Sequence, residues 1–480
     1  MMKRFCLILF LLSCACPAFG SDKPREFDFG FIASRLADPD GNMRLKILGP
    51  IYERAFSTNG VQLKAVRPFY SSCTDPRTER HRKDIVWPIA SAESFRQEFK
   101  WRVLLTWYLD RDWRDPKSKY HLWCVPLYFQ GRDKDKRFYM AFFPFGGRVC
   151  DILGLDESIF ILFPIYARSH VNEVETRDIL WPIFSRTEGK GVYRKRVFPF
   201  YGRNYHRDRY EKRFILWPFW TWGHYKYPRA SGTAYILWPL WGHFDLEDQK
   251  SWLFIPPLIR FSSGQRLNYN YCPWPFVQWS SGEVEKFYLW PLWGKKNMHS
   301  VRSAFFLWPI FRTEQLDRGD TYSQRFLALP FIQSEVRKVR SHDPAVRSKI
   351  VARYHKIWPL LSYMQEGENK RFRALDLWPT RNTGAVEREY APIWTLYSHT
   401  LMGNSYDDEL LWGLYRCRKR GSEYRSVSLF PAVSWTRDDR EGNRREWSIL
   451  KGLLAYKREG TQKSLRVLYF LNFGGKEKKP

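Results

Sequence analysis

The chain has 480 residues, a formal net charge of +29 and an aromatic content of 18%, with 23 Trp. That much apolar and aromatic bulk excludes an intrinsically disordered chain, and the excess of Lys and Arg runs along the whole length instead of forming a tail. Such a length ordinarily divides into about three domains, but a sequence repeat overrides that division, because a periodic chain builds one continuous array.

Residues 1–20 read as an export signal: Lys3 and Arg4 start it, residues 5–12 are apolar, and Ala18-Phe19-Gly20 is a small-x-small cleavage site. The apolar run is too short for a bilayer-spanning helix. Leu11-Leu12-Ser13-Cys14 also resembles a bacterial lipoprotein signal with Cys14 as the lipidation residue, although Leu12 is not the usual small residue. Cleavage after Gly20 is the preferred reading and removes Cys6, Cys14 and Cys16. The remaining Cys73, Cys124, Cys150, Cys272 and Cys417 are odd in number and scattered, which fits neither a disulfide framework nor a zinc site.

Export makes nucleic acid a poor partner for the positive charge. It favours a membrane and anionic molecules of a Gram-negative-type envelope, such as anionic lipid, lipopolysaccharide or acidic glycan. A long exposed β surface that uses Lys and Arg for solubility and to discourage edge pairing accounts for the same charge.

From residue 21 onwards one phrase recurs: apolar residues, Trp-Pro, more apolar residues, then a small residue and a base. It is plainest at residues 214–224 (FILWPFWTWGH), 235–243 (YILWPLWGH), 289–295 (LWPLWGK) and 306–312 (FLWPIFR). Taking the proline as centre, copies fall at Gly30, Pro50, Pro68, Pro88, Thr106, Pro126, Pro144, Pro164, Pro182, Pro199, Pro218, Pro239, Pro257, Pro275, Pro291, Pro309 and Pro330. They resume at Pro359, Pro379, Thr395, Gly413, Pro431, Gly452 and Phe470, making 24 centres about 19 residues apart. Between Gly30 and Pro182 the steps alternate between 20 and 18, as in an up-and-down meander with two turn lengths. A charged stretch at 335–349 reads as an exposed loop, and 474–480 as a short basic tail.

Each copy has the length and the β-branched and aromatic content of a strand, and a central proline opposes a helix. Proline lacks the N–H of a ladder residue, so the sequence predicts a kink at every Trp-Pro, aligned across strands into an apolar belt. Trp181-Pro182, Trp217-Pro218, Trp238-Pro239, Trp290-Pro291, Trp308-Pro309 and Trp358-Pro359 would build that belt. Positions on both sides of each proline are apolar, which predicts cover on both faces. The expected fold is therefore all-β: one domain over 21–480, an antiparallel meander of about 24 strands, curled or closed into a large barrel. An outer-membrane barrel and a soluble periplasmic or surface array both fit this pattern.

Chemistry is harder to find. There is no Gly-rich phosphate loop, no H-E-x-x-H and no G-x-S-x-G, so no enzyme, metal or cofactor is predicted. His206, His224 and His243 are spaced so that adjacent strands would align them, but rim positions of a repeat explain them better than a metal. Asp407-Asp408-Glu409 and Asp438-Asp439 read as turn residues. Trp274, Trp220, Trp241 and Trp293, beside Arg and Lys, are candidate ligand-stacking residues, although packing within the repeat explains any one Trp as well. The departures at 271–275 (YCPWP) and 335–349 are the places to look for a specific contact. The function expected is a non-enzymatic envelope protein, structural or for passage, with a soluble or lipid-anchored scaffold for anionic glycans or lipopolysaccharide as the alternative.

Overall fold

The computed structural model describes residues 26–228, 230–340, 349–440 and 443–474. Residues 1–20, read above as an export signal, with Cys14, residues 341–348 of the charged stretch and the tail from 475 lie outside them. Forty-six strands, numbered here in chain order from β1 (Phe27–Phe29) to β46 (Leu471–Phe473), form one sheet in which each strand pairs antiparallel with the next. Among the described residues no pairing joins β46 to β1, so the sheet keeps two free edges and is not closed into a barrel.

The meander is as expected, but its unit is not. Trp181-Pro182 does not lie inside a strand. It forms, with Leu180 and Ile183, the turn between β17 (Val174–Ile179) and β18 (Phe184–Gly189). Trp217-Pro218 joins β21 (Tyr210–Ile215) to β22 (Trp220–Tyr227), and Trp238-Pro239 joins β23 (Ala230–Leu237) to β24 (Trp241–Leu246). Trp290-Pro291, Trp308-Pro309 and Trp358-Pro359 occupy the same place. One repeat is thus a whole hairpin, two strands of about six residues and two turns, which doubles the expected strand number. The physical reason is the missing proline N–H, which is tolerated in a turn and costly in a central strand. The apolar belt expected at mid-strand is therefore a rim: every turn built on the Trp-Pro phrase lies at the same end of the strands, and mostly polar turns lie at the other.

The proline turns are linked to one another. Ile183 N–H donates to Leu180 O (2.8 Å) and closes its turn, while Leu180 N–H and Trp181 N–H donate to Ile165 O (2.7 Å) and Pro164 O (2.8 Å) of the turn before. Trp217 donates likewise to Pro199 O, and Trp308 to Pro291 O, both at 2.7 Å. The proline carbonyls thereby gain partners, and the turns form a second ladder along the rim. Rings just before the prolines pack along it, with centroids 5.8 Å apart for Phe163–Trp181, 5.4 Å for Phe198–Trp217 and 5.9 Å for Trp290–Trp308. The X–Pro bonds of these turns are cis.

Because side chains alternate and the strands stay in register, each face carries rows that cross the sheet. One row runs without a slip from Asp28 through Ser34, Asp178, Ser185, Arg196, Gly202 and Phe214 to Ser448 and Asn472. It marks the inner face, rich in small buried residues such as Ser34, Ser71 and Ser185. At two of this row's glycines a cross-strand ring fills the space: a Cβ on Gly202 would strike Phe214, and one on Gly294 would strike Phe305. A separate apolar cluster of Phe129, Tyr139, Ala141, Val149 and Phe160 fills the same face further along.

The ribbon bends until its two ends meet, inner face to inner face. Asp28 of β1 pairs with Arg416 of β40 (Tyr415–Arg420) at 2.5 Å, and Lys46 of β3 (Met43–Ile47) with Glu409 of β39 (Ser405–Leu410) at 2.6 Å. Asp84 of β7 (Arg80–Ile85) pairs with Arg388 at 2.5 Å. Arg388 belongs to α1 (Gly384–Glu389), which with α2 (Ala391–Trp394) interrupts the meander between β37 (Asn369–Ala374) and β38 (Tyr397–Met402). The partners run in opposite order, so the ends close like the neck of a drop. Ala385, Val386 and Ala391 are buried in that neck, and Glu389 accepts from Ser71 Oγ (3.2 Å) and Trp87 N–H (2.8 Å). Pro379 and Thr395, expected as two repeat centres, share this one connection, which leaves 23 rim connections for 46 strands.

The Gly–ring pairing is open to a direct test. Gly202→Val should lower stability by about 1–3 kcal/mol, as overpacking against a fixed ring does, read as a fall in the denaturant midpoint. Replacing the exposed Arg207 by Val should leave the midpoint within error.

Candidate functional site

The proline rim is where the chain departs furthest from what a folded chain needs. In the four-residue turns the residue two before proline has a left-handed backbone: φ is +53° at Leu48, +45° at Leu162, +48° at Leu180, +46° at Leu216 and +48° at Leu307, with Val86 (+44°) and Ile255 (+47°) in the same state. Side chains with a Cβ pay roughly 1–2 kcal/mol for that conformation, and glycine or asparagine would fit it better. Leu180 is nevertheless 45% and Leu216 51% exposed. Ile51, Ile89, Ile165, Ile183, Phe219 and Leu240, just after the prolines, are exposed too.

The outer face continues the pattern in rows. Beside the turns runs an apolar row, Tyr166, Ile179, Phe184, Val197, Tyr201, Ile215, Trp220, Leu237, Trp241 and Phe254. One pleat repeat behind it, about 6.6 Å away, six consecutive strands present Arg168, Arg177, Arg186, Lys195, Arg203 and Arg213 opposite one another. The row then turns aromatic, through Trp222, Tyr235, His243 and Trp252. A third row supplies Glu175, which pairs with Arg168 (2.6 Å) and Arg177, Glu188, which pairs with Arg186 (2.6 Å), and Glu211, which pairs with Arg203 (2.9 Å) and Arg213 (2.5 Å). The side chains of Arg177 and Arg186 remain more than 60% exposed.

The candidate ligand-stacking tryptophans belong to this rim. Trp220, Trp241 and Trp293 begin strands in the apolar row, Trp241 lying parallel to Trp252 at 6.0 Å, and Trp274 sits exposed in the five-residue turn that holds residues 272–276. They line an edge and do not converge on a pocket. His206 points to the inner face, while His224 and His243 lie on the outer face in different rows, so the three do not meet. Among the described residues no three His, Cys, Asp or Glu side chains are placed to hold a metal ion.

Three turn assignments are corrected. Asp407, Asp408 and Glu409 lie within β39, paired to β38 and β40; the carboxylates of Asp407 and Glu409 serve the neck, whereas Asp408 accepts from Tyr397 Oη (2.9 Å) and His399 Nδ1 (2.6 Å) on the outer face. Residues 335–339 extend β34 (Ile332–Val339), and 349 opens β35 (Lys349–Ile357), so the charged stretch is partly strand. Asp438, also expected in a turn, is the last residue of β42 (Val433–Asp438), paired with Arg444, and only Asp439 lies beyond the strand.

The neck encloses a cavity of about 290 Å³ lined by Asp38, Arg44, Glu53, Arg67, Glu409 and Arg416 among others. Its charges are matched. Burial pushes Glu53 and Glu409 upward, but Arg67 and Arg44 beside the first, and Lys46 and Arg416 beside the second, outweigh it and hold both at about 2. Burial raises Asp407 and Glu389 despite hydrogen bonds from Arg420 and from Trp87 N–H. Glu53, Asp407 and Glu409, which line it, are all ion-paired, as suits a fastening. The sequence hid this network, because the links that close it, Lys46–Glu409 and Asp28–Arg416, join residues 363 and 388 positions apart.

Glu53 and Glu409 titrate lower folded than unfolded, so they stabilise the neck fully above about pH 4.5 and progressively less as pH falls towards 2. Asp407 and Glu389, raised in the fold, act with the opposite sign and soften that loss. Hydrogen-exchange protection in 43–47 and 405–410, corrected for intrinsic exchange, should fall between pH 4.5 and 2 while 210–225 holds. Glu409→Gln, which leaves Lys46 and Arg416 short of a charge, should weaken the same segments at neutral pH by roughly 3 kcal/mol.

Among the described residues no helix is long and apolar enough to cross a membrane, which leaves strands out of account. The chain matches no protein-family model and no curated protein sequence.

Proposed function

We propose that this is an exported, non-enzymatic cell-envelope protein that stands on one lipid leaflet of a Gram-negative-type envelope with its proline rim in the acyl region. The observation that carries this reading is the exposed, left-handed Leu or Ile repeated along the rim. That choice serves neither the turn, which glycine or asparagine would form more easily, nor the core, which lies on the inner face. A soluble chain rarely exposes a contiguous apolar patch beyond a few hundred Å², and lipid is the solvent that rewards a continuous apolar edge.

Resting on the leaflet suits the geometry better than crossing it. All the strands but β35 have 3 to 8 residues, short of the ~9–11 that a spanning strand needs, and the far rim has polar turns such as Asp38 to Asn42 and Thr58 to Gly60. The amphipathic order, apolar edge first and charge behind it, is that of an interfacial protein. Export rests on residues 1–20, and an acyl chain on Cys14 would add a second anchor. A soluble scaffold for anionic glycans or lipopolysaccharide is the alternative, supported by the same cation excess.

Leu180→Asn, Leu216→Asn and Leu307→Asn combined separate a lipid role from a structural one. Asparagine tolerates the left-handed turn, so the triple variant should keep or slightly raise its thermal midpoint while losing binding to phosphatidylcholine vesicles in flotation. Unchanged flotation of a folded triple variant would overturn the proposal.

A further inference from the structure

We infer that the cation row of β16 (Tyr166–Val171) to β21 is a recognition stripe for the phosphates of anionic membrane lipids, a reading that rests on the rim lying in a leaflet. Three observations carry it. Elsewhere in the same outer row the residues are mixed or aromatic, as at Trp222, Tyr235 and Trp252, whereas here six strands in succession carry Arg or Lys. Like charges placed directly opposite across strands oppose sheet formation, so folding does not call for such a row. Its position matters as well: the row lies one pleat repeat behind the apolar residues at the rim, at the depth where headgroup phosphates sit when those residues are in the acyl region.

The charge balance agrees. Glu175 and Glu211 are each shared between two arginines, and Glu188 serves Arg186. Three carboxylates thus face six cations along about 24 Å of sheet, five steps of ~4.8 Å. Each glutamate orients its guanidinium groups without using all five of their N–H donors, and the planar fork of arginine matches phosphate. The glutamates therefore hold the row in place and leave a net positive stripe facing outward. The same stripe would attract a soluble acidic polysaccharide, but only a lipid brings its phosphate to the fixed distance behind the apolar rim.

The test uses the full chain and the variant Arg177→Gln/Arg186→Gln/Lys195→Gln, with Lys190→Gln/Arg207→Gln/Arg209→Gln at the polar rim as a charge-matched control. Binding is measured by flotation with vesicles of phosphatidylcholine alone and of phosphatidylcholine with phosphatidylglycerol, at low and high salt. The wild type should bind the anionic vesicles at least 10-fold more tightly at low salt. The row variant should lose that preference while keeping its binding to phosphatidylcholine, which also reports that it is folded; the control should retain the preference. Equal affinity of wild type and row variant for anionic vesicles overturns the stripe and leaves the rim standing. Failure of the wild type to bind phosphatidylcholine at all overturns the rim reading, and a preference for anionic vesicles lost only in the row variant would still uphold the stripe. Loss of heparin binding in the row variant without any change on vesicles would assign the row to a polysaccharide and overturn the proposal.

Discussion

Everything in this fold depends on where a residue without an N–H can be placed. A proline inside a continuous sheet would break a rung; at the end of a hairpin it breaks none. Repeating it at one end of most hairpins gathers the apolar turns along one rim and leaves mostly polar turns at the other. The turns then hydrogen-bond to their neighbours through the proline carbonyls, as Trp181 does to Pro164. A local constraint on one backbone atom therefore polarises the whole ribbon, and the rim it creates is the surface on which the functional reading rests.

The two faces solve different problems. The inner face takes the small residues, because a ribbon that bends inward crowds that side; Gly202 beneath Phe214 and Gly294 beneath Phe305 show how a ring fills the space a Cβ would need. The outer face is free of that demand and carries bulk, aromatic rings and charge in ordered rows. At the neck the inner faces meet and the small residues give way to ion pairs such as Asp28–Arg416 and Lys46–Glu409. Buried pairs of this kind are weak sources of net stability but strict about their partners, which suits a fastening between distant parts of one chain.

Much of this was legible in the residues. The β content, the continuous repeat and the position of nearly every unit follow from the Trp-Pro phrase, and nearly all the centres, from Gly30 to Phe470, fall at rim connections. The strand number was not legible in the same way. Apolar residues on both sides of Pro182 look like one strand crossing a belt, and only the pairing of Ile179 with Phe184 shows the chain reversing between them. The cation row was half visible, since Arg168, Arg186 and Arg203 each lie four residues after a proline. Their partners Arg177, Lys195 and Arg213 precede the next proline by four or five residues and join the row only once the hairpin register is known. The neck was out of reach: no periodicity relates Asp84 to Arg388, and the short helix that carries Arg388 breaks the repeat.

The way the ends are fastened has a consequence for how such a chain can change. A closed barrel ties strand number, tilt and stagger together, so strands are not freely added or lost. Here the joint is made by side chains and a short helical wedge, and the hairpins between β8 (Ala90–Phe95) and β33 (Thr321–Ala328) lie outside it. The circumference is then an adjustable quantity: whole hairpins can be gained or dropped from the middle of the ribbon, lengthening or shortening its edge without disturbing the clasp.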